Sequence, residues 1–326
     1  MSPTESKSPY NLDYWLQYYG STWTTDSLYL FALTPMSLLS FIMNILAFIV
    51  LSKSSFGSAI IFRYLRLYVL NSSIISLLLA TTFIFSSYRI FSFSNSYGTL
   101  FYGSYFHSPF LSIFYTFGGL LEIFITIERA LTFMPDRGLK KIINHKQFWL
   151  VLLILSVFIN IPVFFVNYPG IDDVLLDTGL AHRFYYWGVT DFALSPAGVG
   201  ITYALYSLRD VVSLLVKILL NVLTVHLIRK HFNRISSDLR DQGENCAGKT
   251  YITEVDRNLT YTGVIMCVLS SLENVFVIVS YVLVSYQISY LMFFISYFTL
   301  AIKNFTNLFV LYSFNNFFKE EFRKTF

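Results

Sequence analysis

Four ionisable side chains, Glu122, Lys217, Glu273 and Lys303, stand deep inside apolar blocks long enough to cross a bilayer. An ion at bilayer depth costs at least about 2.5–3.5 kcal/mol, so such groups face the interior of a helix bundle and pair with one another. Two acids and two bases in that setting lend themselves to a static helix contact, a charge switch between helices, or a polar path for ions. Lys303 is expected to pair with Glu122 or with Glu273, either as a built-in cation biasing a two-state bundle or as a static contact. Lys217 is expected to lie closer to the inner leaflet and to snorkel toward lipid phosphate. Two further pairs, Glu128-Arg129 and Arg209-Asp210, sit at the end of one block and in the outer half of another. The five histidines, at 107, 145, 182, 226 and 231, are scattered, and the two cysteines, Cys246 and Cys267, stand apart. Neither a nucleophile-base constellation nor a metal cluster assembles from them, so no metal, no cofactor and no enzymatic activity are expected.

The elements that must position these groups follow from composition. Of 326 residues, 55% are hydrophobic and 13% charged, whereas a soluble domain carries roughly 25% charged residues. A spanning helix needs about 20 mostly apolar residues. Seven stretches qualify, roughly 28–51, 64–87, 106–133, 147–167, 200–228, 258–284 and 288–314. The loops that follow the first, third and fifth stretches, together with the tail, hold 17 Lys and Arg, against Lys7, Arg89 and Arg183 on the other side. Basic residues mark the cytoplasmic face, so the N-terminus is expected outside and the C-terminus inside. The expected protein is an all-α membrane protein, a seven-transmembrane helix bundle in the plasma membrane. Its parts are an extracellular segment 1–27, too polar for a signal peptide, a bundle over 28–314 and a cytoplasmic end over 315–326. A formal charge of +4 is too small to imply nucleic acid. Loop four, about 168–199, carries Asp172, Asp173, Asp177 and Asp191, which either steer a cationic ligand or are simply solvated.

Over residues 28–325 this layout, with Glu128-Arg129 closing the third helix, resembles the rhodopsin-like (family A) G protein-coupled receptors. The string IERALTFMP is similar to that family's Glu/Asp-Arg-Tyr motif, with Ala130 in place of Tyr and Pro135 beyond. The resemblance implies that Glu128 holds the Arg129 guanidinium until it is released to line a cavity for a G protein. The seventh helix resembles the Asn-Pro-X-X-Tyr segment: Asn307 matches, Leu308 and Leu311 replace Pro and Tyr, and Tyr312 comes one position late. Phe318, Lys319 and Phe322 then reproduce the spacing of a short amphipathic eighth helix on the inner membrane surface. Asn44 and Asn71 resemble the single Asn of the first helix and the opening Asn of the second-helix motif. Ser76 stands where the family has a sodium-binding Asp, Ser104 where it has a Cys, and Glu273-Asn274-Val275-Phe276 where it has Cys-Trp-X-Pro. These departures resemble fast-evolving invertebrate receptors of chemosensory or peptide type.

The resemblance implies an extracellular ligand, a peptide or a small molecule, and a heterotrimeric G protein as partners. A pocket in the outer bundle would draw on Leu111, Tyr115, Arg209, Asp210, Tyr281 and Tyr297. An opsin's Schiff-base lysine would stand at Ala301, two residues before Lys303, so photoreception is disfavoured. The alternative reading is a transporter or ion-conducting protein using the intramembrane charges. Against it, the chain lacks paired halves with helices broken at matching places.

Overall fold

Hydrocarbon offers no hydrogen-bond partners, so a spanning backbone must satisfy every N–H and C=O within itself, and each apolar block accordingly forms a helix. In the computed structural model, residues 27–53, 56, 60–85, 96–132, 147–175, 181–242, 247–282 and 289–326 are described. Among them are seven helices long and apolar enough to cross a membrane. They are α1 (Tyr29–Leu51), α2 (Ile60–Phe85), α3 (Tyr97–Thr132), α4 (Phe148–Phe165), α5 from Pro196, α6 (Ala247–Val282) and α7 (Ser289–Phe314). An eighth, α8 (Asn316–Thr325), follows α7 almost at once. Asn315 caps it, accepting the Phe318 backbone N–H at 3.0 Å, as an N-terminal Asn does for a helix's orphan donors.

Several boundaries differ from expectation for physical reasons. The third helix begins at Tyr97 and not near 106, because Ser96 caps it by accepting the Thr99 N–H at 3.2 Å. Arg63 and Arg66, expected in loop one, lie in the first turns of α2. Loop five, expected over 229–257, is mostly helix: α5 continues to Gln242 and α6 starts at Ala247. Polar helical extensions leave no hydropathy signal. Loop four folds as an antiparallel hairpin, β1 (Asn167–Leu175) with β2 (Ala181–Val189), in the register Asn167 to Val189 through Leu175 to Ala181. The segment 1–26, Pro135 and Cys246 lie outside the described residues.

Among the described residues, three helices contain π-helical turns. Those at Tyr29–Leu33 and Gly103–His107 each precede a proline, Pro35 and Pro109, by two residues, and proline removes one backbone donor from the ladder. The third, Ser207–Val212 in α5, has no proline and holds the Arg209-Asp210 pair.

The chain forms two compact units. One comprises residues 36–77, 113–159 and 204–326. Its core runs through Val50 and Leu51 of α1, Tyr64, Leu65 and Tyr68 of α2, Leu121 and Ile125 of α3, Met266 of α6, and Leu308 and Leu311 of α7. Phe56 closes that core, edge-on to Phe62 and to Phe317 with ring centroids 4.9 Å apart in both cases. Phe318 of α8 is fully buried in the same cluster, which ties the amphipathic helix to the unit. The other unit comprises residues up to 35, 78–112 and 160–203. There Tyr29 stacks on Phe83 with centroids 5.6 Å apart, and His107 meets Thr82 Oγ1 at 2.7 Å and the Leu78 carbonyl at 2.8 Å. The exposed Arg183 donates to Asp173 at 2.8 Å, and its guanidinium holds the Asp173 carboxyl below the usual carboxylate range.

A candidate functional site at a buried charge network

Glu122 is the hub. On α3 it lies two helical turns from Arg129 and is 2% exposed. Its Oε1 meets the Lys303 ammonium of α7 at 2.8 Å and its Oε2 meets the Lys217 ammonium of α5 at 2.8 Å. Tyr68 of α2 donates its hydroxyl to Oε1 at 2.8 Å. Lys303 also reaches Glu273 Oε2 of α6 at 2.9 Å. Both lysines donate to Ser270 Oγ, Lys217 at 2.5 Å and Lys303 at 3.2 Å. Five helices thus meet through two ammonium groups and two carboxylates of zero net charge. Unpaired, each of the four ions would carry its full insertion cost; paired and hydrogen-bonded, they offset one another.

The expectation for Lys303 was Glu122 or Glu273, and it binds both. The expectation for Lys217 is corrected: its side chain is 2% exposed and turns into the network in place of snorkelling, because Glu122 and Ser270 offer acceptors at bilayer depth. Residue types gave little sign of Tyr68, whose apolar surroundings look like ordinary packing. Ser270 was findable, since it precedes Glu273 by three residues and so shares its helix face.

A cavity of about 240 Å³ adjoins the network, lined by residues of α3, α4, α5, α6 and α7. Two of the expected pocket residues, Tyr115 and Arg209, are on its walls. Tyr115 donates its hydroxyl to Asn274 Oδ1 at 2.8 Å, and the Arg209 guanidinium lies over the Tyr115 ring, 5.3 Å from its centroid. Asp210 is buried behind Arg209, which grips it twice at 2.8–2.9 Å. Leu111 and Tyr297 are half-buried and are not among the lining residues. The side chain of Tyr281 lies outside the described residues. Gly119 gives the cavity its depth: a Cβ there would sit 3.7 Å from the Lys217 ammonium.

In the last turns of α3, Arg129 donates its Nε to Glu128 Oε2 at 2.6 Å, and its Nη2 approaches the same oxygen at 2.5 Å. The pair is buried. Among the asparagines, Asn307 donates to Asn44 Oδ1 at 3.0 Å, and Asn44 donates to the Asn304 carbonyl at 2.7 Å. Asn71 donates to the Phe114 carbonyl at 3.0 Å. That contact requires Gly118, whose added Cβ would stand 2.7 Å from the Asn71 amide nitrogen. Ser76 pairs with Ser40 at 2.9 Å. Tyr312 packs against α8, edge-on to Phe322 with its hydroxyl 3.4 Å from Arg323 Nε, while its neighbour Leu311 is the residue fully buried in the core.

No protein-family model matches the sequence, and no curated protein does. Many solved structures share the fold; one is the crystal structure of squid rhodopsin, with a TM-score of 0.73 and 11% identity over 97% of this chain and 86% of that one. The chain has the rhodopsin fold, with seven helices long and apolar enough to cross a membrane among the described residues.

Proposed function

We propose that the chain is a G protein-coupled receptor of the plasma membrane, its N-terminus outside. An extracellular ligand, a peptide or a small molecule, shifts a two-state bundle, and the cytoplasmic face engages a heterotrimeric G protein. The observation that carries this reading is the buried Glu128-Arg129 pair closing α3 in a chain of rhodopsin fold. A guanidinium held by its neighbouring carboxylate is a latch: exchanging that acceptor for one on a G protein costs little once the cytoplasmic end opens. The Glu122-Lys303-Glu273 link supports the same reading, because it joins α3, α6 and α7 through contacts that discrete helix positions would make or break. The chemosensory or peptide subtype rests on the motif departures alone.

The test is G-protein dissociation in cells, wild type against Arg129→Ala at matched surface expression, first without ligand and then with pooled peptide and small-molecule libraries. A wild-type signal lost in the variant is expected. No dissociation of any G-protein class despite surface delivery would overturn the reading.

A further inference from the structure

The cavity beside the charge network has a polarity that the network as a whole lacks. Lys217, Lys303 and Arg209 line it, while Glu122, Glu273 and Asp210 do not. Each carboxylate lies behind the cation it pairs with. Coulomb energy falls with distance, so a group touching an ammonium feels that charge about twice as strongly as a carboxylate twice as far away. The wall therefore favours an anion although the cluster is neutral.

The Lys217 ammonium in the wall keeps donor capacity. An ammonium has three N–H bonds. Lys303 donates to Glu273 and Ser270 and is ion-paired with both carboxylates. Lys217 donates to Ser270 and is ion-paired with Glu122 through an oxygen that accepts no hydrogen bond among the described residues, and the space left by the missing side chain of Gly119 faces its ammonium.

Most of the remaining wall is apolar, with Thr116, Ser213, Ser270 and Asn274 among it, and its rim is turned outward. Leu155 of α4 and Leu208 and Val212 of α5 line it and are 44%, 48% and 44% exposed. On membrane-spanning helices such exposed apolar side chains meet lipid, so the opening faces hydrocarbon between α4 and α5. The π-helical turn Ser207–Val212 supplies Leu208, Arg209 and Val212, and such turns occur frequently at functional sites. At about 30 Å³ per water, 240 Å³ is room for roughly eight waters, or a ligand of about ten non-hydrogen atoms.

We infer that this cavity binds a small amphipathic carboxylate, of the size of a medium-chain fatty acid, which enters from the bilayer between α4 and α5. Its carboxylate accepts from Lys217 and its chain lies along Leu155, Leu208 and Val212. This ligand class deepens the receptor reading and rests on it for what binding does; the binding itself is measurable without a G protein.

The experiment uses the full chain in nanodiscs of neutral phosphatidylcholine, where the titrant is the only added anion, with empty-disc binding subtracted. Octanoate is expected to saturate one site, and methyl octanoate and octylamine to bind at least about tenfold more weakly, the fold-change that one charge-assisted hydrogen bond carries. Gly119→Leu, which fills the space at Lys217 and leaves every charge in place, is expected to abolish binding. Lys217→Met is expected to weaken it at least tenfold if that variant folds. Ester or amine binding equal to the acid, or full binding by Gly119→Leu, would overturn the inference. So would loss of the octanoate site when phosphatidylglycerol is added to the discs, since a lipid phosphate would then be the occupant. G-protein dissociation is read separately: saturable octanoate binding with no coupling under any condition sinks the receptor reading and leaves the ligand class standing, while coupling without octanoate binding does the reverse.

Discussion

The Lys303 ammonium lies 2.8 Å from Glu122 Oε1 and 2.9 Å from Glu273 Oε2, so one cation on α7 neutralises carboxylates on two other helices. Removing it leaves both acids under-compensated in an environment where breaking a buried pair costs about 3–5 kcal/mol. Lys303→Met should therefore lower the thermal stability of the detergent-solubilised protein by several degrees. Adding Glu273→Gln should recover part of the loss, because Glu273 has lost its only cation among the described residues while Glu122 keeps Lys217. A thermal-melt double-mutant cycle measures the coupling, and strict additivity would show that the two groups do not interact.

The two acids should differ in cost. Glu122 takes both lysines and the Tyr68 hydroxyl, whereas Glu273 binds Lys303 through one oxygen and its other oxygen has no partner among the described residues. Glu122→Gln is expected to reduce surface expression strongly and Glu273→Gln mildly. Quantitative surface labelling checks the order.

Glu128→Gln retains the shape of the α3 end and removes the charge that holds Arg129 at 2.6 Å. A charge-assisted hydrogen bond contributes about 1.5–3 kcal/mol, enough to shift a two-state equilibrium about tenfold or more. Basal G-protein dissociation should rise above wild type at equal expression. An unchanged basal level would mean that the pair does not restrain the inactive state.

Phe318 anchors α8 in the core cluster with no exposed surface. Truncating a buried Phe to Ala costs about 3–5 kcal/mol, more than the remaining contacts of a ten-residue helix can offset on their own. Phe318→Ala should detach α8 and leave the seven helices folded. Amide exchange over 316–325 should accelerate while exchange in α7 stays slow.

The exposed Asp173-Arg183 pair gives a prediction with a sign. Arg183 depresses the Asp173 pKa in the folded state, so its contribution is present at neutral pH and is lost as pH falls below the ordinary carboxylate range. Solvent screening keeps it small. Arg183→Ala should leave the melting temperature at pH 7 nearly unchanged, and any difference from wild type should vanish in acid or in high salt.

Much of this arrangement was legible in the residues because insertion into hydrocarbon imposes strict rules. Seven apolar blocks became seven helices, and charges at matching depths found one another, as with Lys303 and Glu122. What escaped was whatever those rules do not govern. Gln242 and Ala247 end and begin helices well beyond the apolar blocks, since helices in water need no hydropathy. The hairpin Asn167–Leu175 with Ala181–Val189 is set by local pairing and not by hydrophobic alternation. Lys217 was misplaced because depth along a helix says nothing about which way a long flexible side chain turns. Tyr312 matched by spacing, yet Leu311 holds the buried position, and one residue of helix is about 100° of rotation.

The same arithmetic applies to the π-helical turn in α5. Arg209 and Lys217, eight residues apart, would diverge by about 80° around a regular α-helix, and the wider turn at Ser207–Val212 narrows that gap so that both reach one cavity. The facing of everything downstream in α5 is thus carried by that wider turn, a feature of winding and not of residue identity. Straightening that turn into regular α-helix at unchanged length would rotate Lys217 away from the cavity with no charged side chain replaced. A chain of the same length with a regular turn there could match this one at every polar position and still lack the contact between its third and fifth helices.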